Sequence, residues 1–131
     1  MSITRIDPDD LYPDAPYHYA TVAGPGSLVF VAGACPIDAN GQVIDPDLVG
    51  QTARAVDNLM IALSAAGVGV DDVLKTTIYV ASSTRSDLVT AWKVVEAAFG
   101  DARPPGTLLG VSMLGYPGQL VEIEAIAIRP G

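Results

Sequence analysis

Glu122 and Glu124 stand two residues apart in the β-rich run VEIEAIAI, Val121 to Ile128. Strand alternation puts both carboxylates on one face with Ile126 and Ile128, and Val121, Ile123, Ala125 and Ala127 on the other. Two readings follow. Either this face is solvated at the glutamates and buried further on, as is usual for charged side chains, or one glutamate occupies a half-buried pocket. In such a pocket desolvation and a like-charged neighbour raise its pKa far enough to move protons near neutral pH. Spacing alone leaves both open. In APYHYATV, Tyr17, His18 and Tyr19 follow one another, and alternation sends the tyrosines one way and the histidine the other. His18 is a surface or packing residue in one reading and an acid/base candidate in the other, since imidazole titrates near neutrality. Cys35, in VAGACPID, follows a strand end with no basic residue in its segment to lower its pKa, so it reads as a buried, inert thiol. No P-loop, G-x-S-x-G elbow or dinucleotide glycine fingerprint is found.

The elements that must position these groups follow from periodicity. SLVFVAG, Ser27 to Gly33, reads as a strand buried on both faces, and Asn40-Gly41 as a hairpin turn returning Gln42 to Ile44 as a second strand. Asp45-Pro46 reads as an N-cap with proline at the first helical position. Leu48, Thr52, Val56, Leu59, Met60 and Leu63 then form one stripe, closed by Gly67. Asp71 to Ser82 is β-rich. A second helix follows, capped by Ser86, with Leu88, Trp92, Val95 and Phe99 on one face and Gly100 as terminator. GTLLGVSML and QLVEIEAIAIRP supply two closing strands joined by the GYPG turn. The series implies a single α+β domain over residues 1–131, with two helices on one face of a mixed sheet. The other face must be covered by something else.

Composition narrows the class. The 131 residues are 50% hydrophobic and 17% charged, too apolar for disorder, and no apolar run approaches the roughly 18 residues of a membrane span. The N-terminus MSITRIDPDD has no leader pattern, so a soluble, cytoplasmic protein with no membrane partner is expected. A net charge of −8 repels phosphate backbones and argues against nucleic acid as partner. One cysteine and one histidine make no metal-ligand set. High apolar content in a short chain favours a homo-oligomer.

These segments together resemble, end to end, the Rid or YjgF-type proteins. APYHYA is similar to the family's G-P-Y-S-Q-A, and LVFVAGACPID to its strand ending S-G-Q-x-P. QTARAVDNLMIALSAAGVGVDDVLKTTIYV resembles its first helix and following strand, and LVEIEAIAI its closing strand. The resemblance implies a chorismate-mutase-like α+β fold, a homotrimer whose sheets pack into a central barrel, and small-molecule clefts at the three subunit interfaces. It implies hydrolysis of enamines and imines such as 2-aminoacrylate to ketoacids and ammonia, without a cofactor. In the family an arginine fork holds the substrate carboxylate, a glutamate activates water, and a tyrosine and a serine line the pocket. Tyr17 matches the tyrosine and Glu122 the glutamate.

Elsewhere the chain departs from the pattern. The family's P-A-R-[ST]-x-V-x-V is here PPGTLLGV, which sets Gly106 at the arginine and Thr107 at the Ser/Thr after it. Ala32 stands at the pocket serine, His18 at the serine after the tyrosine, and Trp92 at an asparagine common on the second helix. Losing a bidentate charge-assisted contact weakens carboxylate binding by a factor on the order of hundreds. Arg103, three residues earlier across a stiff Pro-Pro step, is the one local substitute, and its guanidinium would have to fold back to serve. The expectation is a pocket remodelled for a ligand other than the usual 2-imino acids. Gly106 opens space in it, Tyr17, His18, Trp92 and Tyr116 form aromatic walls, and Ala32, Cys35 and Thr107 line it. Glu122 then acts as acid/base, helped by Tyr17 or His18. A non-catalytic, metabolite-binding trimer is the alternative. Endoribonuclease activity, ascribed to some members, is disfavoured by the charge.

Overall fold

A computed structural model describes residues 3–131. Its strands are β1 (Ile3–Ile6), β2 (Ala20–Ala23), β3 (Gly26–Phe30), β4 (Val73–Val80), β5 (Gly106–Gly110) and β6 (Val121–Pro130); its helices are α1 (Leu48–Ala65) and α2 (Arg85–Phe99). The main sheet has the order β3-β6-β4-β5, with β6 antiparallel to both neighbours and β5 parallel to β4. The fold is thus mixed α+β, with both helices on one face. β1 and β2 form a separate antiparallel pair, joined to β4 where Thr21 Oγ1 donates to Leu74 O at 2.7 Å.

Between sheet and helices lies the core. Ala55, Leu59 and Leu63 from α1 and Ala91, Val95 and Phe99 from α2 close on Ile78, Val80, Val121, Ile123 and Ala125. Those helical residues recur every four positions, close enough to the helical period to keep their side chains on one face. α1 ends as its sequence implies: Gly67 takes the left-handed conformation after the last turn, φ 82°, which a side chain would resist.

Several local expectations are corrected. α1 begins one turn-element later, with Asp47 rather than Asp45 in the N-cap position; Asp45 has φ 65° and its Oδ1 accepts the Asp47 N–H at 2.9 Å. α2 is preceded by Thr84, and Ser86 lies inside its first turn; Ser82 Oγ accepts the Thr84 N–H and donates to Asp87. The Asn40-Gly41 turn is present, gathered by Asp38 Oδ1 accepting from Asn40 N and Gln42 N. It returns no strand over 42–44, only an isolated Ile37–Val43 bridge, flanked by backbone bonds from Asp38 N to Gln42 O at 2.9 Å and from Ile44 N to Pro36 O at 3.0 Å. β4 is shorter than the β-rich run, entered by a 3-10 turn at Val70–Asp72. β5 and β6 do not pair; β4 separates them.

β3 is not buried on both faces. It is an edge strand whose Leu28 and Phe30 are 57% and 71% exposed. They share the sheet face away from the helices with half-buried Lys75, Thr77 and Tyr79 and with Glu122 and Glu124.

Candidate functional site

Glu122 is positioned from three directions. Its strand is centred in the sheet, and the chain after β3 returns to it as an Ala34–Ile123 bridge. Between Phe30, opposite Ile126, and Ala34, opposite Ile123, the outer chain takes four steps against three, a one-residue bulge. That bulge brings Gly33 beneath the Glu122 carboxylate and Cys35 beside it. Cys35 Sγ donates to Glu122 Oε1 at 3.3 Å, and Gln119 Nε2 donates to the same oxygen at 3.1 Å. α1 fixes both loops: Asn58 Nδ2 donates to Cys35 O and Ile37 O, and buried Gln51 binds Asp45 O, Gly118 O and Leu120 N. Among the described residues no donor takes Glu122 Oε2. Ala32 is exposed beside this group, and Tyr116 touches it through Gln119, whose Oε1 accepts the Tyr116 N–H.

Burial first, then the hydrogen bond to Glu122 and its charge, push the Cys35 thiol up to about 11. Relative to an ordinary thiol at 9.0 this suppresses thiolate near neutral pH about 100-fold. Cys35 is expected to react with iodoacetamide at pH 8 about that much more slowly than a free thiol, and faster in Glu122→Gln; equal rates in the unsubstituted protein and Glu122→Gln would show that the contact is not formed. Because the folded thiol holds its proton more tightly, its contribution to stability is full below about pH 9 and is lost as pH rises through about 11.

The second group forms at the other edge of the sheet. Tyr17, His18 and Tyr19 are half-buried and line an open cleft of about 550 Å³ with Lys75, Pro105, Gly106 and Thr107. Tyr17 packs edge-on against Tyr19 at 5.6 Å and Trp92 at 6.2 Å. His18 Nδ1 donates to Asp7 Oδ2 at 2.7 Å, Nε2 has no partner among the described residues, and the Asp7 bond is the main cause that holds Asp7 below the usual carboxylate range. Arg103 does not enter the cleft. Its guanidinium donates to Ala15 O, and its own carbonyl accepts the His18 N–H at 2.8 Å, so it secures the tyrosine segment from behind.

Gly106 does not open space. A Cβ there would stand 3.2 Å from Trp92 Cζ3 and 3.1 Å from Thr76 Oγ1, because α2 lays the indole across the glycine. The aromatic wall therefore consists of Tyr17 and Trp92 over Gly106, with Tyr116 belonging to the Glu122 group. Gly106→Arg alone is expected to cost about 1–3 kcal/mol of unfolding free energy by overpacking. Adding Trp92→Asn should recover most of it in chemical denaturation; an unchanged single variant would mean that the indole moves aside freely.

One chain does not bring the two groups together. Glu122 lies opposite Tyr79 and Gly106 opposite Thr76, on either side of β4. Three residues along and two strand spacings across amount to roughly 14 Å. Another cleft, of about 680 Å³, is lined by residues 81–85 and 110–112; Ser82 in it is occupied in holding the start of α2. Among the described residues no three His, Cys, Asp or Glu side chains gather as for a metal ion, and no helix is long and apolar enough to cross a membrane. Sequence reasoning missed Lys75, Asp7, Gln119 and Gly33. Alternation in VLKTTIYV does mark Lys75 as facing with Thr77 and Tyr79, whereas nothing local ties Asp7 to His18 or Gly33 to Glu122.

Fold and site define a small α+β protein with a buttressed carboxylate on an open sheet face and a tyrosine-lined cleft at its edge. Residues 9–129 match the family described as Endoribonuclease L-PSP, and the chain belongs to that family, the Rid or YjgF-type proteins. It is 35% identical over 118 residues to a RutC family protein of Pyrococcus horikoshii, covering 89% of this chain and 90% of the other. It is 31% identical over 107 residues to the 2-iminobutanoate/2-iminopropanoate deaminase of Salmonella typhimurium, covering 79% and 81%. A Rid family protein of unknown function from Yersinia pestis superposes with a TM-score of 0.91 at 30% identity, covering 98% of this chain and all of that one.

Proposed function

We propose that the chain works as a Rid-like homotrimer whose clefts between subunits hydrolyse a small enamine or imine without a cofactor, the ligand being other than the usual 2-imino acids. The observation that carries this is the Glu122 carboxylate, held through Oε1 by Gln119 and Cys35 with Oε2 left for chemistry. In the proposed reaction Oε2 takes a proton from water as the water oxygen bonds to the imine carbon. Glu122 returns that proton to the nitrogen, and the new hydroxyl gives its own proton to the nitrogen as the C–N bond breaks, so that ammonia departs and a carbonyl product remains. The exposed apolar face bearing Leu28 and Phe30 supports association, and the roughly 14 Å between the two groups supports a site completed by a second copy, one chain giving Glu122 and the next Tyr17. Gly106 stands, by the resemblance, at the arginine position, and Arg103 is committed to Ala15.

The test is ammonia release from a panel of enamines and imines generated in place. Turnover of a substrate other than 2-aminoacrylate supports the reading, and 2-aminoacrylate hydrolysis at the rate of the deaminase relatives would overturn the altered range. The absence of an arginine from the cleft also favours a second reading, a non-catalytic metabolite-binding trimer. A ligand that raises the melting temperature and is recovered unchanged after long incubation would support it.

A further inference from the structure

Lys75 is the cation that lines the cleft with Tyr17, His18 and Tyr19. It projects from β4 onto the sheet face away from the helices, half-buried, and its Nζ donates to Thr107 Oγ1 at 2.6 Å and to Thr76 O at 3.1 Å. An ammonium carries three donor hydrogens, so one remains for a ligand. No carboxylate lies within 4.0 Å of it: the ion pair found among the described residues is His18–Asp7. A partly desolvated cation without a counter-ion is costly, and an anion entering the cleft would relieve that cost. Burial lowers the Lys75 pKa, while the more distant Glu124 pulls it back up.

We propose that Lys75, held in place by Thr107, anchors the anionic end of the ligand, and that the ligand is a small monoanionic carboxylate. This rests on the reading that the Tyr17 cleft is the ligand site. Residue 106 would project toward Trp92 and α2, so the anchor lies on the opposite face of the sheet from any side chain placed there. A carboxylate gripped by Lys75 is therefore set differently from one held by an arginine at 106. The contact is to a single point charge, without the two parallel bonds of a guanidinium fork. Glu124, close enough to act on Lys75 through its charge, disfavours a dianion such as phosphate.

The experiment titrates the purified full chain with butanoate and with its neutral analogue butanamide, reading the heat of binding by calorimetry. Butanoate should bind more tightly than butanamide. Lys75→Met should weaken butanoate at least tenfold and leave butanamide unchanged, and Lys75→Arg should retain butanoate within a few-fold. Should Lys75→Met fail to fold, Thr107→Val takes its place, with a few-fold loss for butanoate alone. Equal affinity for acid and amide, no binding of butanoate, or wild-type butanoate affinity in whichever variant is used overturns the proposal. Turnover is not read, so a chain that binds through Lys75 but hydrolyses nothing refutes only the catalytic reading.

Discussion

Glu122→Gln is expected to lower turnover of the enamine or imine substrate by about 10²–10⁴-fold while leaving the melting temperature close to that of the unsubstituted protein. The side chains are nearly isosteric. The amide oxygen can take the place of Oε1 and keep accepting from Gln119 Nε2 and Cys35 Sγ, so the local hydrogen bonds survive. What is lost is Oε2: an amide nitrogen in its place cannot accept a proton from water. The loss should fall on kcat more than on KM, because Lys75 and Tyr17 lie in the other group of residues. Any limb of the pH–rate profile arising from Glu122 should vanish as well. Full turnover in Glu122→Gln, with the fold intact, would remove the acid/base role and leave the binding reading standing.

How far the sequence reveals this site depends on how far apart its parts lie. The α1 stripe ending at Gly67 and the alternation of β6 are local patterns, and both are seen in the structure with Leu59, Leu63 and Ile123 inside. That alternation also put Glu122 and Glu124 on one face, which in the structure is the face away from the core. The Cys35–Glu122 contact joins residues 87 apart through a bulge that no periodicity announces. β1 escaped notice because four residues become a strand only by pairing with Ala20–Ala23. Gly106 was misread for a related reason: a glycine looks like vacant space until the helix that crosses it is known, and here that helix delivers Trp92. Arg103 was half legible. The prolines after it do stiffen its path, but the acceptor it finds, Ala15 O, lies 88 residues away. Lys75 is legible in the sequence only as a charge within a strand, and nothing local ties it to Thr107, 32 residues away.

Gly33→Ala should separate position from chemistry, because it alters neither Glu122 nor any group that binds ligand. A Cβ built on Gly33 would lie 2.6 Å from Glu122 Cδ and 2.8 Å from its Cγ, far inside contact distance. The obstructing atoms belong to a flexible side chain and not to backbone, so the carboxylate can swing away at modest cost in stability. In moving, Glu122 must give up at least part of the hold that Gln119 and Cys35 have on Oε1. Turnover should therefore fall by about 10²-fold or more, as when a reacting group is misplaced by about 1 Å, with the melting temperature little changed. The Cys35 thiol supplies an independent readout. With the carboxylate displaced, one cause of its raised pKa is removed, and alkylation at pH 8 should quicken toward the rate seen in Glu122→Gln. Lost turnover with unchanged thiol reactivity would mean that Glu122 stayed in place and that the glycine serves the ligand directly. Unchanged turnover with quickened alkylation would mean that the carboxylate moved and chemistry did not need it there. Only the joint change fits a glutamate whose reactive oxygen is set by the bare backbone beneath it.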